Sequence, residues 1–160
     1  MKKVLLLFIS VVIAGVLISG CTSPPSGNVT PTVTPTSTTP AAQYTVMTSS
    51  TSQLGTFLVD GNGKTLYNFT TDSKDMSTCT GGCLGVWPVF YTQTIVVPSD
   101  LSATDFTSFT RGDGSMQTAY RGEPLYYYVG DTSPGDTTGQ GLNQFGGLWY
   151  VVPPDAAGYT

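Results

Sequence analysis

The chain has no histidine and only one glutamate, Glu123, in 160 residues. Charged residues make up 10% of it, against an average of about 25%. Each shortage excludes some chemistry. Without histidine the usual general base near neutral pH is missing, and neither a Ser-His-Asp nor a Cys-His nucleophile can be assembled. With one glutamate, a glycosidase pair of carboxylates would have to come from aspartates, and nothing in the pattern singles out two of them. Six basic residues are too few to bind nucleic acid by neutralising phosphates. Three cysteines and no histidine do not supply a zinc site once one cysteine is used elsewhere. Covalent haem attachment needs Cys-x-x-Cys-His, which is absent. We therefore expect no catalysis, no metal and no cofactor.

Long apolar runs are also missing after residue 18. The one run is N-terminal. Met1-Lys2-Lys3 opens it, residues 4–18 are almost continuously apolar, and Ile18-Ser19-Gly20-Cys21 closes it. A membrane span needs about 20 apolar residues, so this run is short for one. A branched apolar residue, two small ones and a cysteine form a lipobox: small residues admit the peptidase and the thiol carries the lipid. We assign residues 1–20 to a lipoprotein signal peptide and Cys21 to lipid attachment. Acyl chains at about 0.8 kcal/mol per buried CH₂ would anchor the protein to the cell membrane, on the extracytoplasmic side. Loss of Lys2 and Lys3 takes the net charge from -4 to -6.

Residues 21–43 contain Pro31-Thr32-Val33-Thr34-Pro35-Thr36-Ser37-Thr38-Thr39-Pro40 and few large apolar side chains. Such a segment cannot bury enough surface to fold, and we expect a disordered stalk. Asn28-Val29-Thr30 and Asn68-Phe69-Thr70 match the N-glycosylation pattern. The second lies inside an expected strand.

What is present in residues 44–160 is a pattern that occurs twice. Gly63-Lys64-Thr65-Leu66-Tyr67-Asn68-Phe69-Thr70-Thr71-Asp72 recurs as Gly122-Glu123-Pro124-Leu125-Tyr126-Tyr127-Tyr128-Val129-Gly130-Asp131. Trp87-Pro88-Val89 follows the first copy and Trp149-Tyr150-Val151 the second. Repeated units often bury their apolar faces against each other. Within each copy alternation puts Tyr67 with Phe69, and Tyr126 with Tyr128, on one face. That face is the candidate core. Tyr127 replaces Asn68 on the opposite face and is a possible binding residue. Asp72 and Asp131 sit where each strand ends, where a short carboxylate can accept backbone N–H bonds. With Asp75 and Asp136 they could instead supply oxygen ligands to calcium.

Turn chemistry marks the hairpins. Asp60-Gly61-Asn62-Gly63 separates Phe57-Leu58-Val59 from Thr65-Leu66-Tyr67-Asn68-Phe69. It starts like a calcium loop, but Lys64 and Thr71 occupy positions that need ligands. Gly112-Asp113-Gly114-Ser115 separates strands at residues 105–111 and 116–120. Residues 124–129 and 148–152 read as further strands, and residues 79–86 as a short helical turn. Gly139-Gln140-Gly141-Leu142-Asn143-Gln144 lacks the last glycine of a nucleotide loop and reads as surface loop. The fold class expected is all-β: antiparallel hairpins or a meander from two tandem repeats packed as one small domain.

With Cys21 used by the lipobox, Cys79 and Cys83 remain. In an extracytoplasmic protein a structural disulfide is the first reading, and a redox pair the alternative.

These residues resemble a secreted repeat of unknown function found in bacterial and archaeal lipoproteins and described by a Tyr-x-aromatic-x-x-Asp motif. The resemblance rests on Leu66-Tyr67 with Phe69 and Asp72, and on Leu125-Tyr126 with Tyr128 and Asp131. It also rests on Cys79-Thr80-Gly81-Gly82-Cys83 leading to Trp87-Pro88, and on Gly146-Gly147-Leu148-Trp149-Tyr150. Val89 departs from the second proline usual there. The resemblance implies a surface lipoprotein and no settled activity. The reading is a non-catalytic structural or interaction module at the cell envelope, partnered by the membrane and by an envelope protein or glycan. The alternatives are an envelope-polysaccharide-binding module using exposed aromatics, or a thiol-disulfide or electron-transfer accessory using Cys79 and Cys83.

Overall fold

A computed structural model describes residues 43–157. The expected signal peptide, Cys21 and all but the last residue of the expected stalk lie outside the described residues. The elements in order are β1 (Val46–Thr51), β2 (Gly55–Asp60), β3 (Tyr67–Phe69), α1 (Gly82–Val86), a 3₁₀ turn (Ala103–Asp105), β4 (Phe106–Thr110), β5 (Met116–Tyr120), β6 (Glu123–Pro124), β7 (Asn143–Gln144) and β8 (Gly147–Val151). All strand pairings are antiparallel: β1 with β2, β3 with β8, β8 with β7, β4 with β5 and β5 with β6.

The hairpins follow their turn residues. Asp60 N–H donates to Lys64 O at 2.8 Å, and Gly63 sits at φ 82°. A three-residue loop with glycine in the left-handed region is a favoured hairpin connection. The second copy is one residue shorter here. Arg121 (φ 49°) and Gly122 (φ 84°) form a two-residue turn, both with the positive φ of type I′. The expected third strand at 124–129 is cut short. Only Glu123–Pro124 pairs regularly, and beyond it Tyr126 makes isolated bridges. Pro124 has no N–H to extend a ladder. Expectation also missed β1, whose Thr and Ser residues do not alternate cleanly.

The two copies exchange strands. β8, from the second copy, pairs with β3 of the first: Tyr67 opposite Val151, Asn68 opposite Tyr150, Phe69 opposite Trp149. Val89, from the first copy, bridges Tyr126 of the second. Val152 N–H donates to Leu66 O at 3.2 Å while Leu58 N–H donates to Val152 O at 2.8 Å. The same pattern holds Phe90, which donates to Leu125 O at 2.9 Å and accepts from Thr118 N–H at 2.9 Å. Between them Tyr67 and Tyr126 exchange N–H···O bonds with each other, both 2.9 Å. The segment after each Trp thus completes the sheet of the other copy, an isologous arrangement within one chain.

This sheet has a core on each face. One cluster holds Tyr67, Phe69, Trp87, Tyr126, Trp149, Cys79 and Cys83. The other holds Leu58, Leu66, Phe90, Tyr120, Leu125 and Val152. Alternation therefore sorted Tyr67 and Phe69 from Leu66 correctly. Tyr128 packs against the first cluster but is only half-buried. Both Trp side chains are fully buried. Trp149→Ala should cost about 3–5 kcal/mol, as truncation of a buried aromatic does. Tyr150→Ala, on the exposed face of the same strand, should cost well under 1 kcal/mol. Urea unfolding of both variants checks this, and equal losses would contradict the facing described.

Candidate functional site

The repeated Tyr-x-aromatic-x-x-Asp residues meet across the two copies. Tyr67 Oη donates to Asp131 Oδ2 at 2.6 Å, and Tyr126 Oη to Asp72 Oδ2 at 2.5 Å. Each aspartate uses its other oxygen on its own exit loop. Asp72 Oδ1 accepts from Thr78 N (2.7 Å) and Thr78 Oγ1 (2.8 Å). Asp131 Oδ1 accepts from Thr138 N (2.9 Å) and Thr138 Oγ1 (2.5 Å). The expected capping is present, and the cross-copy phenol was missed. Its signal was the repetition itself: a buried phenol and a buried carboxylate recur together, with β geometry keeping them apart within a copy.

Burial, reinforced by the facing carboxylate, drives the phenols of Tyr67, Tyr126 and Tyr127 well above their ordinary value of 10.0. Burial also raises the Asp72 carboxyl above 3.8, opposed by its Thr78 and Tyr126 bonds and by the charge of Arg111. Arg111 is buried, donating to Ser77 Oγ at 2.6 Å, to Cys79 O at 2.6 Å and to Gln117 Oε1. Ser77 Oγ lies 2.6 Å from Tyr126 Oη. Arg111 is thus linked to Asp72 through two hydroxyls, and its charge favours the ionised carboxylate.

Four rings stack in a column. Phe69 lies 4.1 Å from Trp149, Trp149 3.9 Å from Trp87, and Trp87 4.4 Å from Tyr128, centroid to centroid. Tyr67 stands edge-on to Trp87 at 5.4 Å and Tyr126 to Trp149 at 5.1 Å. Gln144 serves both indoles: its Oε1 accepts from Trp87 Nε1 at 3.0 Å and its carbonyl from Trp149 Nε1 at 3.3 Å. The segment expected to be a surface loop is therefore half structural. A Cβ on Gly139 would lie 2.8 Å from the Trp87 ring and 2.9 Å from Tyr67, so only glycine fits.

Cys79 and Cys83 form a disulfide with Cα atoms 5.4 Å apart, leading into α1. Both are buried in the aromatic cluster. Asp136 caps its own turn, accepting from Thr132 N at 3.0 Å and Ser133 N at 2.8 Å. Among the described residues no group of three metal-ligating side chains comes together. Asn68 is half-buried and its Nδ2 donates to Glu123 Oε2 at 2.5 Å, so the folded domain withholds this amide from glycosylation.

Tyr127 does face away from the aromatic column, yet it is half-buried. Its Oη donates to Asp60 Oδ2 at 2.9 Å and its ring meets Phe90 edge-on at 5.7 Å. The remaining Asp60 oxygen accepts from Asn62 N and Lys64 N, both 2.9 Å. Beside this pair opens a groove of about 430 Å³, bordered by Tyr44, Thr45, Asn62, Phe90, Thr92 and Tyr127.

A family model described as a secreted repeat of unknown function matches residues 48–91 and again 107–153. The chain belongs to this family. The two matches cover the two copies that exchange strands. No curated protein and no solved structure matches the chain significantly. Among the described residues no helix is long and apolar enough to cross a membrane.

Two outcomes follow for this secreted-repeat domain. A phenol whose pKa is raised by folding contributes stability that is complete below the unfolded value of 10.0 and is lost as pH rises above it. Ultraviolet phenolate absorbance should therefore show Tyr67, Tyr126 and Tyr127 ionising only as the fold melts in alkali. Tyr126→Phe should make the alkaline loss less steep. Changing Cys79 and Cys83 together to Ser should lower the Tm but leave the domain folded, with a loss at or below about 2–4 kcal/mol. A thiol of either residue reacting with an alkylating reagent before reduction would contradict the disulfide.

Proposed function

We propose that this secreted repeat acts as a non-catalytic interaction module of the cell envelope, held outside the membrane by lipid on Cys21 and carried by the stalk of residues 21–43. The observation that carries this reading is the use made of the repeated motif. The phenols of Tyr67 and Tyr126 and one oxygen of each motif aspartate join one copy to the other: Tyr67 with Asp131, and Tyr126 with Asp72. Each of these carboxylates is buried and already accepts a phenol, a backbone N–H and a threonine hydroxyl, which leaves it poorly placed to take a substrate proton. The aromatics of the motif fill the core. What the motif yields is a rigid body with a defined surface, which suits recognition.

The absence of histidine agrees with this reading, because no ready proton acceptor near neutral pH is present. The disulfide suits an oxidising compartment. Its burial within the aromatic cluster favours a staple over an exchanging thiol pair, which needs access.

Fractionation of cells tests the anchor. Cys21→Ser should leave the membrane fraction or accumulate with its signal peptide uncut. Normal processing and membrane retention of that variant would refute lipid attachment. Crosslinking on intact cells, followed by mass spectrometry, should capture an envelope component with the anchored protein.

A further inference from the structure

The two copies match closely where they hold each other and differ at the residue between the motif aromatics. In the first copy the residue between the motif aromatics is Asn68, and its amide reaches Glu123 in the turn of the second copy. In the second copy the matching residue is Tyr127, and it reaches Asp60 in the turn of the first. Each half thus reaches the hairpin of the other, at non-equivalent positions, and one side uses a compact amide and the other a large ring. The turn also differs, with Gly61-Asn62-Gly63 on one side and Arg121-Gly122 on the other. Those two departures, the ring and the longer turn, both border the groove of about 430 Å³. The opposite half closes its turn with neither, although Tyr127 also packs against the second core cluster.

The groove is preformed. Asp60 fixes the turn through Asn62 N and Lys64 N and fixes Tyr127 through its hydroxyl. Gly61 N–H donates to Thr45 O at 3.0 Å, which seats the N-terminal segment against the turn. The Asp60 carboxylate lines the groove and accepts three donors, and the Lys64 ammonium lies 5.7 Å from the centroid of the Tyr127 ring. The rest of the lining offers hydroxyls and an amide from Thr45, Asn62 and Thr92 and the partly exposed rings of Tyr44 and Tyr127; Phe90, which also borders it, is buried in the core. The volume falls in the range of small-ligand sites, about 300–1,000 Å³.

We propose that this groove binds a neutral saccharide chain. Sugars present alternating C–H faces and hydroxyls. Aromatic rings take the first, and amides and side-chain hydroxyls take the second. The Asp60 carboxylate in the lining and the acidic balance of the chain both disfavour a phosphate or a polyuronate. An open groove admits the middle of a polymer, whereas an enclosed cavity would require a chain end. The inference rests on the interaction-module reading and names the ligand class for it.

The test is a titration of the full-length protein in detergent, followed by two-dimensional amide NMR. The probes are maltohexaose, cellohexaose and chitohexaose, with oligogalacturonate as the anionic control. At least one neutral probe should shift amides at residues 43–45, 60–62, 90–92 and 127. Tyr44→Ala and Asn62→Ala should each weaken that binding about tenfold, as loss of one central contact does. Tyr150→Ala, outside the groove, should leave it unchanged. A melting curve for each variant separates lost binding from lost fold. No shift with any neutral probe, shifts away from the groove, or equal binding of the anionic control would overturn the proposal. Crosslinks at Tyr44 or Asn62 to an envelope protein, without sugar binding, would also overturn it while leaving the module reading intact. Failure of Cys21→Ser to release the protein bears on the anchor alone.

Discussion

Two buried hydroxyl-to-carboxylate bonds, Tyr67 to Asp131 and Tyr126 to Asp72, set the rules for the rest of this molecule. A buried carboxylate without partners is very costly, and a buried phenol without one costs a few kcal/mol. Each copy carries one of each and cannot join them, because a strand carries the phenol in mid-sheet and the carboxylate past its end. The two copies together join all four. That requirement makes association of the copies a condition of folding and explains the strand exchange around it. Once Tyr67 and Tyr126 lie side by side, the segments after Trp87 and Trp149 can only fill the open edges of the opposite copy. The two indoles are then brought face to face at 3.9 Å.

The electrostatics follow from the same constraint. With few charges in the chain, a buried acid must be held by hydrogen bonds more than by ion pairs. Only two salt bridges occur among the described residues, Arg111 to Asp113 and Arg121 to Asp105. Both involve partly exposed aspartates, where solvent screening leaves such pairs weak. Arg111 matters for another reason. It ties Cys79 O, Ser77 and Gln117 together behind Asp72, so the disulfide loop and the β4–β5 hairpin converge on one of the two motif carboxylates. The halves are thus alike in geometry and unlike in electrostatic support.

Much of the fold was legible because turn chemistry and alternation are local. Asp60 to Gly63 and Gly112 to Ser115 announced their hairpins, and the spacing of Tyr67 and Phe69 gave their common face. What escaped was non-local. Nothing near Tyr67 in the chain says that its hydroxyl will meet a carboxylate 64 positions away. Gln144 looked like part of a polar loop because its role depends on two indoles that fold brings together. Tyr127 was legible as different from Asn68, and its groove was not, because Tyr44, Asn62 and Phe90 come from three separate segments. The repeat itself could have supplied part of this: a polar pair that recurs without a local partner points to its own duplicate.

Strain at the β7–β8 turn shows how far the scaffold is bent toward the Trp pair. Phe145 (φ 55°) and Gly146 (φ 91°) both lie in the left-handed region, and the Phe145 side chain is 50% exposed. An L-residue there costs roughly 1–2 kcal/mol, and an exposed ring returns little of it. The return comes one residue earlier. Only a two-residue turn of this hand keeps Gln144 opposite Gly147, with its side chain on Trp87 and its carbonyl on Trp149. Two buried indole N–H groups left unpaired would cost about 1–3 kcal/mol each, more than the turn does. The strained residue is therefore explained by the pair beneath it, and the same pair exists only because each copy hands its last strand to the other.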